Sequence, residues 1–578
     1  MQILTSSRRL LVSSSLLLLA AGAACAQVVV VPPTLQIGSS NPATAEPPVT
    51  RPSTTPCVVP LLTNQEFGDY SGKPMSFTPP TSCHGPWAKI VLTADFTVTA
   101  GRQFDRTAQL YLGNTNIFYG TTAEPRSALS PSWHIERDVT DLSALLKTPQ
   151  TGQAIVYNIV NSTYTGIIYG NAALEFYPAS FAALAPAVPD LVIPISSVEN
   201  AGVITPIVNN AGTLNTTADQ LTQTLTLPRN VTRAYLDVIS QSQSTDEFWY
   251  LNVPNDQTGN LEAYGNTPFR ETEITIDGKS AGVAPVYPWI FTGGLDPYLW
   301  EPITGVQTLN FKPYRVDLTP FAGLLNDGNQ HTVGVSVYNA NSYFLATATL
   351  LVYTDHFKSQ VNGALVSNTL TPPEPTVVEK LTTTSAGVTT GTITVASARK
   401  FAIKGYVETS LGRIETTVEQ KVDFNSTGTF NVNAKIGAPE IQNMVQTSTV
   451  DANTTTRDGF LVEQDHKTIS FPLTLDYSFL LNSDGTQTQV VTSDQKNILN
   501  ETKSLDGFLL YESKTREAVN STDTLQFTAA GALSAAGIGK TTATYKSSDT
   551  LGNCYSRTLT AANQKLTGVT NDKACKNQ

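Results

Sequence analysis

Residues 89–112 read KIVLTADFTVTAGRQFDRTAQLYL, and this stretch decides the fold. Within 89–99 and again within 107–112, apolar residues alternate with polar ones or run together briefly. A period of two sends successive side chains to opposite faces, so both segments read as strands. Between them, Gly101 to Arg106 read as the turn that enters the second strand. Outward from here the same pattern recurs at 234–239, 272–276 and 332–338, and in Thr-rich form at 391–396 and 405–416. Long helical periodicity is absent, apart from a short turn at 142–146. The chain therefore reads as all-β. Ala and Pro accumulate at 178–189, and Thr371-Pro372-Pro373-Glu374-Pro375 forms a second break. These breaks divide the chain into β regions at 57–180, 190–358 and 376–578. Residues 27–56 contain seven prolines and read as a linker.

Arg8 and Arg9, the apolar run 10–24 and Ala24-Cys25-Ala26 have the form of an export signal cleaved before Gln27. Cys25 would also suit a lipoprotein signal, but Gly22 stands where an aliphatic residue is expected. A secreted or periplasmic protein is the expectation. The remaining cysteines, Cys57 with Cys83 and Cys554 with Cys575, fall at opposite ends, and two local disulfides are the simplest reading in an oxidising compartment. No cysteine or histidine has metal-ligand spacing, so no metal is expected. The net charge is −11 and only 14% of residues are charged. Such a chain does not attract nucleic acid or an anionic membrane, and no later apolar run is long enough to span a bilayer. Few basic groups also mean little positive charge at low pH, so tolerance of acid is expected.

Several motifs could carry chemistry. In Asp105-Arg106 the guanidinium would hold the carboxylate ionised, although neighbours on a strand point to opposite faces, so a turn or bulge is needed for both to serve one site. In Thr245-Asp246-Glu247-Phe248-Trp249-Tyr250 two acids stand beside three aromatics, and mutual repulsion with desolvation would raise a carboxyl pKa toward that of a general acid. The Gly- and Pro-rich loop 291–302 carries Asp296, Trp300 and Glu301. Gly278-Lys279-Ser280-Ala281-Gly282 spells a nucleophile elbow, but Asp277-Gly278 reads as a hairpin turn and Pro285 and Pro288 forbid the helix an elbow needs. All five tryptophans precede residue 301, which places aromatic faces able to stack on sugars in the first two regions.

From Cys57 to about His356 the chain resembles the peptide N-glycosidase A family. The landmarks are Pro79-Pro80, Cys83, Trp87, Gln103-Phe104-Asp105-Arg106, Thr122-Ala123-Glu124-Pro125 and Asp138-Val139-Thr140. They continue with Asp246 to Tyr250, Phe291-Thr292-Gly293-Gly294, Leu299-Trp300 and Asp317-Leu318-Thr319-Pro320-Phe321. A more distant likeness is to peptide N-glycosidase F, through Phe104-Asp105-Arg106 and through Glu247 with Phe248-Trp249 and Phe269-Arg270. The resemblance implies two adjacent jelly-roll sandwiches with the site in the groove between them, followed by a C-terminal β region. It implies a cofactor-free amidase that cuts the β-aspartylglucosylamine bond of N-glycosylated peptides or proteins, with acid activity. Asp105 would activate water, aided by Arg106. Glu247 would position the sugar or handle the leaving group's proton, with Asp246 in reserve. Trp249, Trp300, Glu301 and Glu124 would contact substrate. A third acid of the distant relative has no clear match, since Asn158 and Ile159 occupy its region. Glu301 stands where the family usually has Arg. An endo-acting glycoside hydrolase and a non-enzymatic glycan binder are the alternatives.

Overall fold

The computed structural model describes residues 34–572; the expected leader with Cys25, and Cys575, lie outside the described residues. The chain is all-β, in three units built from five sheets. In the first unit Cys57–Phe67, Ile168–Pro178, Trp87–Val98 and Ser132–Asp138 form one sheet. Lys73–Phe77, Gln150–Val156, Thr107–Leu112 and Thr115–Thr121 form the other. Alternation sets the faces: Ile90, Leu92, Ala94, Phe96 and Val98 of Trp87–Val98 are buried, while Asp95 and Thr97 are exposed. The hairpin Thr107–Leu112/Thr115–Thr121 differs, being buried on both faces. Its outer face lies against the second sandwich.

That second sandwich pairs a six-stranded sheet, from Val203–Pro206 to Lys279–Pro285, with a sheet centred on Tyr343–Thr354 and Val231–Gln243. Asp277-Gly278 makes the two-residue turn between Glu271–Ile276 and Lys279–Pro285 with φ of +52° and +72°. This is the positive-φ hairpin geometry that Asp-Gly favours, and it leaves no place for an elbow at Gly278 to Gly282.

From Asn362–Asn368 onward the chain forms one antiparallel sheet of twelve strands. Its six long members, among them Val388–Thr409 and Phe508–Phe527, contain 19 to 22 residues each. One face alternates buried residues such as Val395, Ile403, Phe424 and Leu475 toward the second sandwich, and the two units share one continuous core. Phe269 meets Phe424 at 5.1 Å and Tyr287 meets Phe471 at 4.7 Å between ring centroids. Pairs of this kind contribute about 0.5–1.5 kcal/mol beyond the area they bury. The first sandwich keeps a core of its own.

The Pro-rich segment ahead of Cys57 lies across all three units as a strap. The Gly38 N–H donates to Leu566 O at 2.8 Å, the Ala43 N–H to Pro302 O at 2.8 Å, and the Val49 N–H to Glu136 Oε2 at 2.7 Å. Arg51 then bridges Glu136 and Glu175. Cavities of about 400 and 440 Å³ flank this strap. The short turn expected near 142–146 is present as two 3-10 turns, Thr140–Leu142 and Leu145–Lys147. The disulfide expected between Cys57 and Cys83 is not formed. Both are free thiols, with Cys57 Sγ 3.7 Å from Ser82 Oγ and Cys83 Sγ donating to Phe176 O at 3.4 Å. Cys554 is disulfide-bonded.

Candidate active site

The hairpin in the seam brings the first two acids together. Thr107 pairs with Thr121, the Thr122 N–H donates to Arg106 O at 2.7 Å, and the Arg106 N–H donates to Thr122 Oγ1 at 2.9 Å. Asp105 and Glu124 therefore flank the open end of one hairpin, and the Asp105 N–H reaches Glu124 Oε2 at 3.4 Å. Backbone pairing, not chain proximity, makes neighbours of residues 19 apart.

The second sandwich closes the site from the other side. Its loop 291–300 lays the Gly293 N–H on Asp105 Oδ2 at 2.9 Å. Thr292 Oγ1 donates to Thr122 O at 2.8 Å and fixes the loop to the hairpin. A side chain at 293 would displace the acids: a Cβ there would run into Glu124 Oε2 and come within 3.0 Å of Asp105 Oδ1. Glu247 leaves the end of Val231–Gln243 through the 3-10 turn Ser244–Asp246 and is half-buried within the fields of Asp105 and Glu124.

Burial raises the Asp105 pKa, opposed by the Gly293 N–H and the charge of Arg106. Burial and the Asp105 charge raise Glu124 to about 7, with Arg126 opposing. Burial, then Asp105, then Glu124 raise Glu247 to about 8. All three carboxyls are shifted upward, and Glu124 and Glu247 are held protonated at mildly acidic pH. Hydrogen bonds and a cation oppose the shift at Asp105 and Glu124, but nothing opposes it at Glu247, which suits Glu247 to an acid's part.

The structure separates the expected residues. Asp105, Glu247 and Glu124 come together, with Glu124 moving from an expected substrate contact into the acid cluster. Asp246 does not join them. It is wholly buried, pairs with Arg270 at 2.8 Å, and accepts the N–H groups of Asn341 and Ser342 at 2.8 Å each. Both its oxygens are committed, which makes it the anchor of the Glu247 turn and not a catalytic acid. Trp249 and Trp300 are also core residues, 0% and 2% exposed, and Trp300 Nε1 donates to Gly294 O at 2.9 Å. Neither presents a face for a sugar. Glu301 is turned inward and pairs with Arg126 at 2.9 Å, so it is not a substrate contact. Arg126 also lies 3.6 Å from Glu124 Oε1 and 4.3 Å from the Tyr298 ring centroid. Arg106 makes no ion pair with the Asp105 carboxylate. Its Nη1 donates to Asp105 O at 2.9 Å, and it lies over Phe104 and Tyr164.

Three site features were missed in the sequence. Gly293 supplies the N–H that favours ionised Asp105, and its signal is the Gly-Gly pair in a loop otherwise rich in large residues. Arg126 links Glu124 to Glu301, and its signal is a cation two positions after an acid. Phe104 and Tyr164, 5.0 Å apart between centroids, form a half-buried aromatic pair beside Asp105, with no local signal in the sequence.

Fold and site together define an all-β protein whose carboxyl cluster lies in the seam between two sandwiches. The family model described as Peptide N-acetyl-beta-D-glucosaminyl asparaginase amidase A matches residues 45–371, and the chain belongs to this family. A curated relative from Prunus dulcis, named Peptide-N4-(N-acetyl-beta-glucosaminyl)asparagine amidase A, is 31% identical over 388 residues. The match covers 64% of this chain and 66% of that relative's length. Among solved structures, PNGF-II is similar at 13% identity and a TM-score of 0.34, over 52% of this chain and 65% of that one. PNGase F, a glycosylasparaginase from Flavobacterium meningosepticum, has the same identity and TM-score, over 52% of this chain and 96% of that one.

Proposed function

We propose that this chain is a peptide N-glycosidase that hydrolyses the amide between asparagine and the first N-acetylglucosamine of an N-glycan. The single observation that carries the reading is the convergence of Asp105, Glu124 and Glu247 on one seam, where backbone N–H groups reach Asp105 and Glu124 but none reaches Glu247. Family membership supports the choice of substrate.

In this reading Asp105 is ionised and takes a proton from water as that water attacks the asparagine side-chain carbonyl. The Gly293 N–H and the nearby positive charge of Arg106 favour that ionised form. Glu247, protonated up to about pH 8, donates a proton to the departing glycosylamine nitrogen. The peptide keeps aspartate, and the glycosylamine then loses ammonia in water. Glu124, raised to about 7, is neutral at acidic pH and keeps a second negative charge away from Asp105. The half-buried pair Phe104 and Tyr164 replaces the two tryptophans as the surface on which a sugar ring stacks. Glu124 and Glu247 both carry protons on the acid side of about pH 7, which favours activity there over alkaline pH. The export signal read at residues 8–26 supports a reaction outside the cytosol.

The test is incubation of the chain with a defined glycopeptide at acidic and neutral pH, followed by mass analysis. A bare aspartyl peptide with an intact free glycan is expected. A peptide that keeps one N-acetylglucosamine would mean a glycoside hydrolase instead. Tight binding without turnover would reduce the chain to a glycan binder.

A further inference from the structure

The strand Phe508–Phe527 of the long sheet alternates its side chains, and Glu517, Ser521 and Asp523 all fall on the buried face. That face meets the loop that carries Gly293. Ser521 Oγ donates to Leu299 O at 2.8 Å, and Thr541 Oγ1 on the next strand reaches the same carbonyl at 3.3 Å. Gln495 holds both ends of the wider segment: its Nε2 donates to Pro288 O at 2.7 Å, and its Oε1 accepts the Val306 N–H at 2.8 Å. The loop needs such a grip. Leu295 sits at φ +64°, a left-handed conformation that a leucine adopts only when its surroundings enforce it.

One contact in this grip is chemically incomplete as two carboxylates. Asp296, 1% exposed, faces Asp523, also 1% exposed. Asp296 Oδ1 accepts the Tyr298 N–H at 2.9 Å. Asp296 Oδ2 is buried without a hydrogen-bond partner among the described residues, and the Thr524 and Gly537 N–H groups beside Asp523 offset little of its burial. Two ionised carboxylates here would repel each other in a medium of low polarity. A single proton between them turns the repulsion into a short charge-assisted hydrogen bond.

We propose that Asp523 is a positioning residue, which shares a proton with Asp296 and thereby holds the Gly293 turn against Asp105, so that the long sheet completes the active site. The charged groups that face the pair are few. Arg126 favours ionised Asp296 from the first sandwich, and Glu301 on the same loop opposes it. Arg126 in turn touches Glu124, so the pair is two side chains removed from the acid cluster. Burial, followed by the charge of Asp296, raises Asp523 to about 7 from an ordinary value of 3.8. The folded state then holds a proton that the unfolded chain has lost, so the pair's contribution to stability falls as pH rises from 3.8 to about 7. Above that window the turn loses its clamp.

The inference rests on the amidase reading for its activity measurements but not for its stability measurement. Wild type, Asp523→Ala and Asp523→Asn are compared by kcat, KM and melting temperature between about pH 4 and pH 8. Asp523→Ala is expected to lose about tenfold in kcat with little change in KM, since Gly293 supports the reacting carboxylate. In Asp523→Asn the amide can donate to ionised Asp296 at every pH. It is expected to recover most of kcat, to shift the alkaline decline upward, and to flatten the fall of melting temperature between pH 4 and about pH 7. An Asp523→Ala enzyme with wild-type kcat and pH profile would overturn the proposal. So would an Asp523→Asn enzyme no better than Asp523→Ala and with the wild-type slope of melting temperature. If Asp523→Ala does not fold, the Asp523→Asn comparison decides alone. If wild type releases no glycan, the amidase reading fails, and the melting series still decides whether the pair shares a proton.

Discussion

At the seam between the two sandwiches, polar groups make many of the joins. The Tyr119 hydroxyl donates to Gln241 Oε1 at 2.7 Å, the Asn116 N–H to Asn210 Oδ1 at 2.9 Å, and Gly293 to Asp105. At the seam between the second sandwich and the long sheet, Phe269, Tyr287, Phe424 and Phe471 interlock within one continuous core. Hydrogen bonds impose direction and distance, whereas apolar contact is strong but indifferent to angle. The first seam therefore suits chemistry, where a carboxyl must be aimed. The second suits support, where area matters. The adjacent residues Asp246 and Glu247 repeat the contrast on a small scale. One is saturated with partners and holds the turn; the other is left without a countercharge and is free to exchange a proton.

Three substitutions sharpen this comparison. Asp105→Asn removes the proposed base and is expected to lower glycan release about a thousandfold or more while the melting temperature changes little. Retained turnover in a glycopeptide assay would move the chemistry away from the first seam. Asp246→Ala leaves the Arg270 guanidinium buried without its partner and is expected to cost about 3–5 kcal/mol in urea unfolding. A stable variant that had lost activity would reverse the roles given to Asp246 and Glu247. Glu247→Gln is expected to reduce kcat about tenfold or more and to remove the alkaline decline near pH 8 from the rate profile. An unchanged profile would return Glu247 to a structural role.

The alternation within 89–99 was enough to read a strand, because burial on one face leaves a mark at every second residue, while 107–112, buried on both faces, was legible only as a short apolar run. The order of the landmarks pointed to Asp105 and Glu247, which the structure brings to one seam. What the chain alone could not separate was Asp246 from Glu247, since Arg270 and the backbone of Asn341 and Ser342 arrive from loops distant in the chain. Nor could it tell a tryptophan that faces solvent from one that fills a core. Trp249 and Trp300 have the composition of a sugar platform, yet their indoles lie inside the sandwich. Glu124 joined the cluster through the Thr107/Thr121 register, a fact of pairing that no local pattern announces. The Cys57 and Cys83 spacing likewise allowed a bond that the structure does not form.

The strap has a consequence for the order of assembly. The Ser40 hydroxyl rests on Gln564 O, 524 residues later in the chain. A contact between such distant positions closes an enormous loop and forms late, because the entropy of closure must be met before the contact rewards it. Residues 38–40 thus have no seat until the last strands have been made and paired, whereas Arg51 can settle once Glu136 and Glu175 are in place. In a chain synthesised from head to tail, the strap would settle from its far end backward.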